Sequence, residues 1–412
     1  KQKTAYEISL GLVGSEMCIR DSYNGGNVYC ISGHDGSEIF KVPFAKPEGE
    51  TCYTCYIADA DGDGYGEVYA AGQYYNITVL DHNGNMIWSY SGSDYYWDEI
   101  SDIVVAGDLD GDGVVDVAAC GDMDNVIIFN ALTGDLISVY STTDWVVAID
   151  AADFTGDGVL DLAINTDAGV ADSGSIRALS LVRPRTIVRE ANYYWAGSDS
   201  ECYGVVVGDV DADGYDDVVT ASSTKFGDTW KAHLIMWDLR PGAMVRRKEV
   251  RIWRIPGTVD TKLTDVSALY TEGSAVDILT SAYGTVAGRL GRHKERKAAP
   301  PSRRLDTRLG PVRSEVTVRL GTDLSLITRR AFCIGGRYAT YAMAVAAGDI
   351  DGDGNAEVVT VGYYEKGGED YAFIKVFEYI YPTLTHEYTF KGHVLDTPTG
   401  FYDVYILSLI HI

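Results

Sequence analysis

The sequence is short of positive charge, of long apolar runs and of the spacings that mark common catalytic centres. No stretch of 18 or more apolar residues occurs in its 412 residues, so nothing in it is long enough to cross a bilayer as a helix. Lys and Arg number 34 against 60 Asp and Glu, a net charge of -26. A surface of that sign repels phosphate backbones, which excludes nucleic acid as a partner and points to cations instead. The 7 histidines form no His-Glu-x-x-His, and neither a Gly-x-Ser-x-Gly elbow nor a phosphate-binding glycine loop is present. Cys52 and Cys55 make a single Cys-x-x-Cys with no second pair and no thioredoxin-like βαβ pattern. A structural or unpaired role therefore fits them better than zinc or redox chemistry. Proline is also scarce, 10 against 45 glycines. What remains is 46% apolar, enough for a sizeable core and too much for a disordered chain. At about 150 residues per domain the length implies two or three domains, unless the fold is a large barrel or propeller.

The two ends do not read as protein. Residues 1–8 resemble a translated short-read sequencing adapter, and Leu12–Asp21 a transposon-type adapter. Read as codons, Leu407–Ile412 are, over the shared stretch, the reverse complement of Met17–Asp21. Residues 1–22 and 407–412 are accordingly expected to be adapter-derived, with the natural gene truncated at both ends and residues 23–406 its remainder.

Within that remainder one unit recurs: apolar strand, Asp-x-Asp-x-Asp-Gly-x-x-Asp/Glu, apolar strand. The first copy has Asp59, Asp61, Asp63, Gly64 and Glu67; the second Asp108, Asp110, Asp112, Gly113 and Asp116. The third has Asp153, Thr155, Asp157, Gly158 and Asp161; the fourth Asp209, Asp211, Asp213, Gly214 and Asp217. A late copy has Asp349, Asp351, Asp353, Gly354 and Glu357. Between the last two, Val266 to Thr280 keeps the strands but puts Leu269, Thr271 and Gly273 where carboxylates belong, so that unit is expected to keep the fold and lose the site. Successive copies start 49, 45, 56, 60 and 80 residues apart, a period suited to propeller blades of several short strands. A second hairpin with Gly, Asn or Asp at its turn follows each loop, as in Ile77–Trp88 and Val126–Ile137. Val28–Phe40 looks like that hairpin without its loop, and Phe401–Ile406 like a strand preceding a loop. Together they would make part of a seventh blade, although an array of eight or more is equally compatible. The expected fold is all-β, a propeller of about seven four-stranded antiparallel blades.

Residues 289–330 depart from the rest, with 12 Lys+Arg and 4 Asp+Glu. They read as a basic insertion or as a frameshift covering a lost blade strand, and no site is assigned there.

The loops have a clear chemistry. A hard divalent cation takes six to eight oxygens from carboxylates, carbonyls and water. Asp at positions 1, 3 and 5 turns three carboxylates inward, and Gly at position 6 permits the bend. The backbone carbonyl of position 7 (Tyr65, Val114, Val159, Tyr215 or Asn355) faces the ion, and position 9 adds a carboxylate from the next strand. Calcium is favoured over magnesium because a loop of protein oxygens tolerates irregular coordination, and zinc is disfavoured because the loops hold no His or Cys. About five calcium sites are expected, the third weakest because Thr155 replaces an Asp. Sites of about 0.1 mM affinity would stand empty in the cytosol, which places the protein outside the cell or on its surface.

These loops and strands resemble the FG-GAP and VCBS repeats of integrin α-subunit propellers and of many secreted microbial proteins, over most of residues 23–406. The resemblance implies calcium loops on one rim and non-enzymatic recognition of protein or glycan, as in adhesion. The Phe-Gly and Gly-Ala-Pro flanks are mostly missing, with Val-Ala-Ala-Gly348 before the last loop and Val-Thr-Val-Gly362 after it, so the match is nearer the VCBS type. Two alternatives stay open: a propeller lyase of the rhamnogalacturonan type, for which no acid/base residue is assigned, and a structural spacer in a larger surface protein. Asn76-Ile77-Thr78 matches a glycosylation acceptor. The pairs Tyr74-Tyr75, Tyr95-Tyr96 and Tyr193-Tyr194 either line a binding rim or pack at loop edges.

Overall fold

The apolar runs beside each loop are six to eleven residues long and rich in Val, Ile, Ala and Tyr, and every one of them is a strand. The computed structural model describes residues 16–21, 26–32, 37–44, 51–92, 98–142, 144–155, 158–167, 173–180, 186–194, 199–226, 229–238, 245–253, 255, 258, 261–269, 276–285, 312–334, 338–350, 354–367, 369–391 and 401–407. The first strands are β1 (Glu16–Asp21), β2 (Asn27–Ser32) and β3 (Glu38–Pro43). Four-stranded sheets follow in chain order. The next holds β4 (Cys52–Ala58), β5 (Glu67–Gly72), β6 (Asn76–Leu80) and β7 (Met86–Ser91). It is followed by β8 (Ile100–Ala106), β9 (Asp116–Gly121), β10 (Asn125–Asn130) and β11 (Leu136–Ser141). Then come β12 (Trp145–Ala152), β13 (Asp161–Asp167), β14 (Ser173–Ser180) and β15 (Thr186–Tyr194). The fourth of these holds β16 (Asp199–Gly208), β17 (Asp217–Phe226), β18 (Thr229–Asp238) and β19 (Val245–Trp253). Two more are β20 (Lys262–Leu269), β21 (Asp277–Thr285), β22 (Val312–Arg319), β23 (Leu326–Phe332), and β24 (Thr340–Gly348), β25 (Ala356–Lys366), β26 (Glu369–Ile380), β27 (Thr383–Lys391). Finally β28 (Phe401–Leu407) pairs with β1, giving a sheet ordered β28-β1-β2-β3.

The innermost strands form a closed series. β4 lies against β8, β8 against β12, β12 against β16, β16 against β20, β20 against β24, β24 against β28, and β28 against β4. An apolar cluster fills the space between each pair of neighbouring sheets. Ile103, Val105 and Phe129 meet Tyr69, Ile77 and Trp88 at one such boundary; Tyr29 and Ile31 meet Val359 and Ile374 where the ring closes. A ring of radial antiparallel sheets that bury their faces on one another is a β-propeller. The burial pattern follows from it. β5 and β9, second in their sheets, are buried at every residue, whereas the outer β7 and β11 each bury one residue, Trp88 and Ser138. Strands covered on both faces read as continuous apolar runs, whereas outer ones keep much of their surface in solvent.

In six sheets the first two strands share one irregularity, a register shift early in the inner strand, between Cys52/Thr54, Ile100/Asp102, Val146/Ala148, Cys202/Gly204, Leu263/Asp265 and Ala342/Ala344. Such a bulge sharpens the local twist. Glycine faces it in several copies because nothing larger fits: a Cβ on Gly121 would lie 1.9 Å from the Glu99 carbonyl oxygen, and one on Gly362 1.9 Å from that of Tyr341.

Inner strands are edge strands, and their unpaired amides need acceptors. Three aspartates supply them across the sheet boundary. Asp102 accepts the Ile149 amide at 2.9 Å, Asp150 the Val207 amide at 2.8 Å, and Asp265 the Val345 amide at 2.9 Å. Burial pushes the Asp150 carboxyl up to about 7.

Residues 312–330 of the basic segment form β22 and most of β23, in register with β21, and their turn closes with Leu324 donating to the Leu320 carbonyl at 2.7 Å. Residues 289–311, and the expected adapter residues 1–15, lie outside the described residues, while Glu16–Asp21 form β1.

Candidate metal sites on the carboxylate loops

Each Asp-rich loop joins an inner strand to the second strand of its sheet, so all five sit at the same end of the inner strands. The loop backbone takes the same path each time. The position-6 glycines Gly64, Gly113, Gly158, Gly214 and Gly354 have φ of 95, 88, 88, 90 and 93°, a region L side chains rarely enter. At position 4, Gly62 and Gly111 are also left-handed, and in the fourth loop Ala212 adopts φ 60° without being glycine.

The carboxylates organise the loop around themselves. Asp59 Oδ1 accepts the Gly62 and Asp63 amides at 2.7 and 3.0 Å, and Oδ2 accepts that of Gly64 at 3.2 Å. Asp108 repeats this with Gly111, Asp112 and Gly113, at 2.5, 3.0 and 2.8 Å. Position 3 accepts from position 5 in the first two loops, Asp63 to Asp61 at 2.9 Å and Asp112 to Asp110 at 3.0 Å. Position 5 accepts from position 7: Tyr65 to Asp63, Val114 to Asp112 and Tyr215 to Asp213, at 2.8, 2.8 and 3.1 Å. Fewer bonds are described in the other loops, but Gly158, Gly214 and Gly354 donate to Asp153, Asp209 and Asp349 at 2.8, 2.9 and 3.0 Å.

Position 9 comes from the second strand and is buried in every loop. One of its oxygens clamps the loop: Glu67 accepts from Ala60, Asp116 from Leu109 and Glu357 from Ile350, each at 2.8 Å. Asp161 and Asp217 accept instead from Thr155 and Asp211, at 3.0 and 3.3 Å. In the second loop the other oxygen, Asp116 Oδ1, is buried with no hydrogen-bond partner. Three carboxylates converge within 4.8 Å in three loops: Asp59, Asp61 and Glu67; Asp108, Asp110 and Asp116; Asp209, Asp211 and Asp217. Burial first, then the neighbouring carboxylates, pushes Glu67 and Asp116 up to about 7. Such clusters of oxygens in a buried-to-exposed gradient offer a hard cation several ligands at one point.

Not every expected ligand is described. Asp157, Asp351 and Asp353 lie outside the described residues, so the third and fifth loops are seen only through Asp153, Thr155, Val159, Asp161, Asp349, Asn355 and Glu357. Thr155 Oγ1 is 3.5 Å from Asp153 Oδ1. Two carboxylates beyond the expected pattern also belong to this rim. Asp216, at position 8 of the fourth loop, is raised to about 6 by burial and by Asp209 and Asp153; its only sequence signal was the Asp-Asp step at 216–217. Asp277, at position 9 of the degenerate unit, accepts a hydrogen bond from the Tyr379 hydroxyl of the next sheet at 3.2 Å. Leu269 there is a buried ladder residue paired with Asp277, while Thr271 and Gly273 lie outside the described residues.

Other expectations resolve against burial. Asn76 is 5% exposed on β6, which closes the Asn-Ile-Thr match to a glycan. Tyr75 is fully buried and its hydroxyl accepts the Met123 amide at 3.2 Å, a packing role. Tyr95-Tyr96 lies outside the described residues, and Tyr193-Tyr194 ends β15. No disulfide joins cysteines among the described residues; Cys52 and Cys55 are buried on β4.

Residues 108–164, the second loop through β13, match the FG-GAP-like repeat family. No curated protein matches the chain. Among solved structures, the Saccharomyces cerevisiae Sqt1 structure is similar at 11% identity and a TM-score of 0.43, over 64% of this chain and 65% of its own. The Neurospora crassa Pan2 WD40 domain is similar at 9% identity and 0.46, over 83% and 85%, and the RRP9 WD40 repeats at 12% and 0.48, over 82% and 83%. The ring of sheets is a β-propeller, and the repeat matched within it supports a propeller built on FG-GAP-like units.

Proposed function

We propose that the protein is a calcium-stabilised propeller that works outside the cell or on its surface and recognises a protein or a glycan without transforming it. The observation that carries the calcium reading is Asp116 Oδ1: a buried carboxylate oxygen without a partner, beside Asp108 and Asp110. An unpartnered buried acceptor is costly unless something absent from the protein atoms satisfies it, and among several carboxylates that something is a cation.

In each loop the residues at positions 1, 3, 5 and 9, with the position-7 carbonyl, would hold the ion. Calcium supplies charge neutralisation there, and its binding is linked to folding. With a dissociation constant of about 0.1 mM and about 1 mM calcium, each site adds roughly 1.4 kcal/mol. Cytosolic calcium is too scarce to fill such sites, which supports the extracellular assignment.

Thermal unfolding with and without a chelator tests this reading. Chelation is expected to lower the midpoint by several degrees, and calcium but not magnesium to restore it; an unchanged midpoint overturns it. Screening the calcium-loaded chain against arrayed glycans and surface proteins tests recognition.

A further inference from the structure

Position 8 of a carboxylate loop faces the preceding sheet. Val115 packs on the apolar cluster shared with β4 and β5, Leu160 on that shared with β8 and β9, and Ala356 on that shared with β20 and β21. The backbone follows the same path, since the Leu160 amide donates at 3.1 Å to the carbonyl of Asp108, position 1 of the preceding loop. An apolar side chain suits this place because the boundary between two sheets excludes water. The fourth loop departs from the rule with Asp216. Asp216 is half-buried, and its carboxylate makes no hydrogen bond or ion pair with any described residue. Its electrostatic neighbours are carboxylates: Asp209 of its own loop, Asp153 of the third loop and Asp150 of β12.

We propose that Asp216 supplies the third cation site, across the sheet boundary, with the negative charge that Thr155 lacks, so that this one site is built from two sheets. This rests on the calcium reading above and extends it to a residue outside the repeated ligand pattern. Position 3 of one loop and position 8 of the next trade the charge between them. Asp61 is followed by Val115, Asp110 by Leu160 and Asp211 by Val276, whereas Thr155 is followed by Asp216. The fourth loop has no need of an extra carboxylate, because Asp209, Asp211 and Asp217 already converge within 4.8 Å. The third loop has that need, being the one carboxylate loop without an aspartate at position 3. A carboxylate set among others at a sheet boundary is costly unless a cation compensates it. Charge count sets the affinity of such a site, so Asp216 lifts the third site from the weakest place that Thr155 alone would give it.

Calorimetric titration of the full chain with calcium, paired with melts in chelator, decides it. D216N and D216L are each expected to weaken one calcium site about tenfold and to leave the others as they are. T155D/D216L moves the carboxylate back to position 3, the arrangement of the neighbouring loops, and should return that site to within about twofold of wild type. In chelator both single variants should melt at or above the wild-type midpoint, because each removes an uncompensated charge. Calcium titrations of D216N and D216L that match wild type, a lower chelator midpoint in both, or a T155D/D216L protein that stays as weak as D216L overturns the proposal. D116N separates this inference from the reading beneath it. If D116N loses a site and D216N does not, the role of Asp216 falls and the calcium reading stands; if the wild type takes up no calcium, both fall.

Discussion

Asp116 and Leu109 meet across the second loop, with the Leu109 amide donating to Asp116 Oδ2 at 2.8 Å while Asp116 Oδ1 is buried without a partner. The first oxygen holds the loop closed and the second is available to an ion. Asp116→Asn removes the charge but leaves an acceptor for Leu109. In chelator the variant is expected to be at least as stable as the wild type, because a buried carboxylate crowded by Asp108, Asp110 and Asp112 has been neutralised. In calcium it should lose one site's contribution, about 1.4 kcal/mol under the affinities above. Comparing chelator-induced midpoint shifts of the two proteins checks this, and equal shifts would contradict it.

The same crowding gives the metal-free protein a pH dependence. Glu67 and Asp116 rise from ordinary values of 4.5 and 3.8 to about 7, chiefly through burial. Both therefore hold a proton more tightly folded than unfolded. Their contribution to stability is complete below about pH 4 and is lost as pH rises through about 7. In chelator, the urea midpoint is expected to fall between pH 4.5 and 8. On the calcium reading proposed above, the ion competes with those protons, so the decline should vanish or reverse when it is present. Urea titrations across that range, with and without calcium, measure the difference.

The degenerate unit makes a contrasting case. Where the other units have a carboxylate cluster, Asp277 is held by the Tyr379 hydroxyl at 3.2 Å, and burial raises its carboxyl. Tyr379→Phe removes that donor and should cost about 1 kcal/mol. The sequence predicts no cation site in this unit, so the cost should be the same in calcium and in chelator, which paired melts would reveal.

How far the sequence spoke depended on whether a feature was local. The loops were legible because their geometry is encoded within nine residues: the carboxylate spacing marks the residues that cluster, and a glycine at position 6 is required by a left-handed φ near 90°. The hairpin β22–β23 was also encoded locally. Leu320-Gly-Thr-Asp-Leu324 echoes Leu132-Thr-Gly-Asp-Leu136 at the turn of β10–β11, within a segment whose basic charge reads as an insertion or a frameshift. The boundary carboxylates were not legible. Asp102, Asp150 and Asp265 look like ordinary strand aspartates until their acceptor partners on the neighbouring inner strand are known. The Tyr379 contact with Asp277 was hidden for the same reason, since 102 residues separate the two.

Ala212 offers the most direct test of loop strain. At position 4 the first two loops have glycine, with φ of 77 and 87°, whereas Ala212 is held at φ 60°. A left-handed alanine costs roughly 1–2 kcal/mol; glycine relieves that strain but loses about 0.4–1 kcal/mol because the unfolded chain becomes freer. Ala212→Gly is therefore expected to raise stability by up to about 1 kcal/mol. The strain is present whether or not the loop is filled, so the gain should appear in chelator as well as in calcium. If calcium binding tightens the turn further, the gain should be larger in calcium, and the fourth site's affinity should rise by the corresponding factor. Urea midpoints in both conditions measure the two components, and a loss of stability in chelator would show that the turn is relaxed with alanine in place.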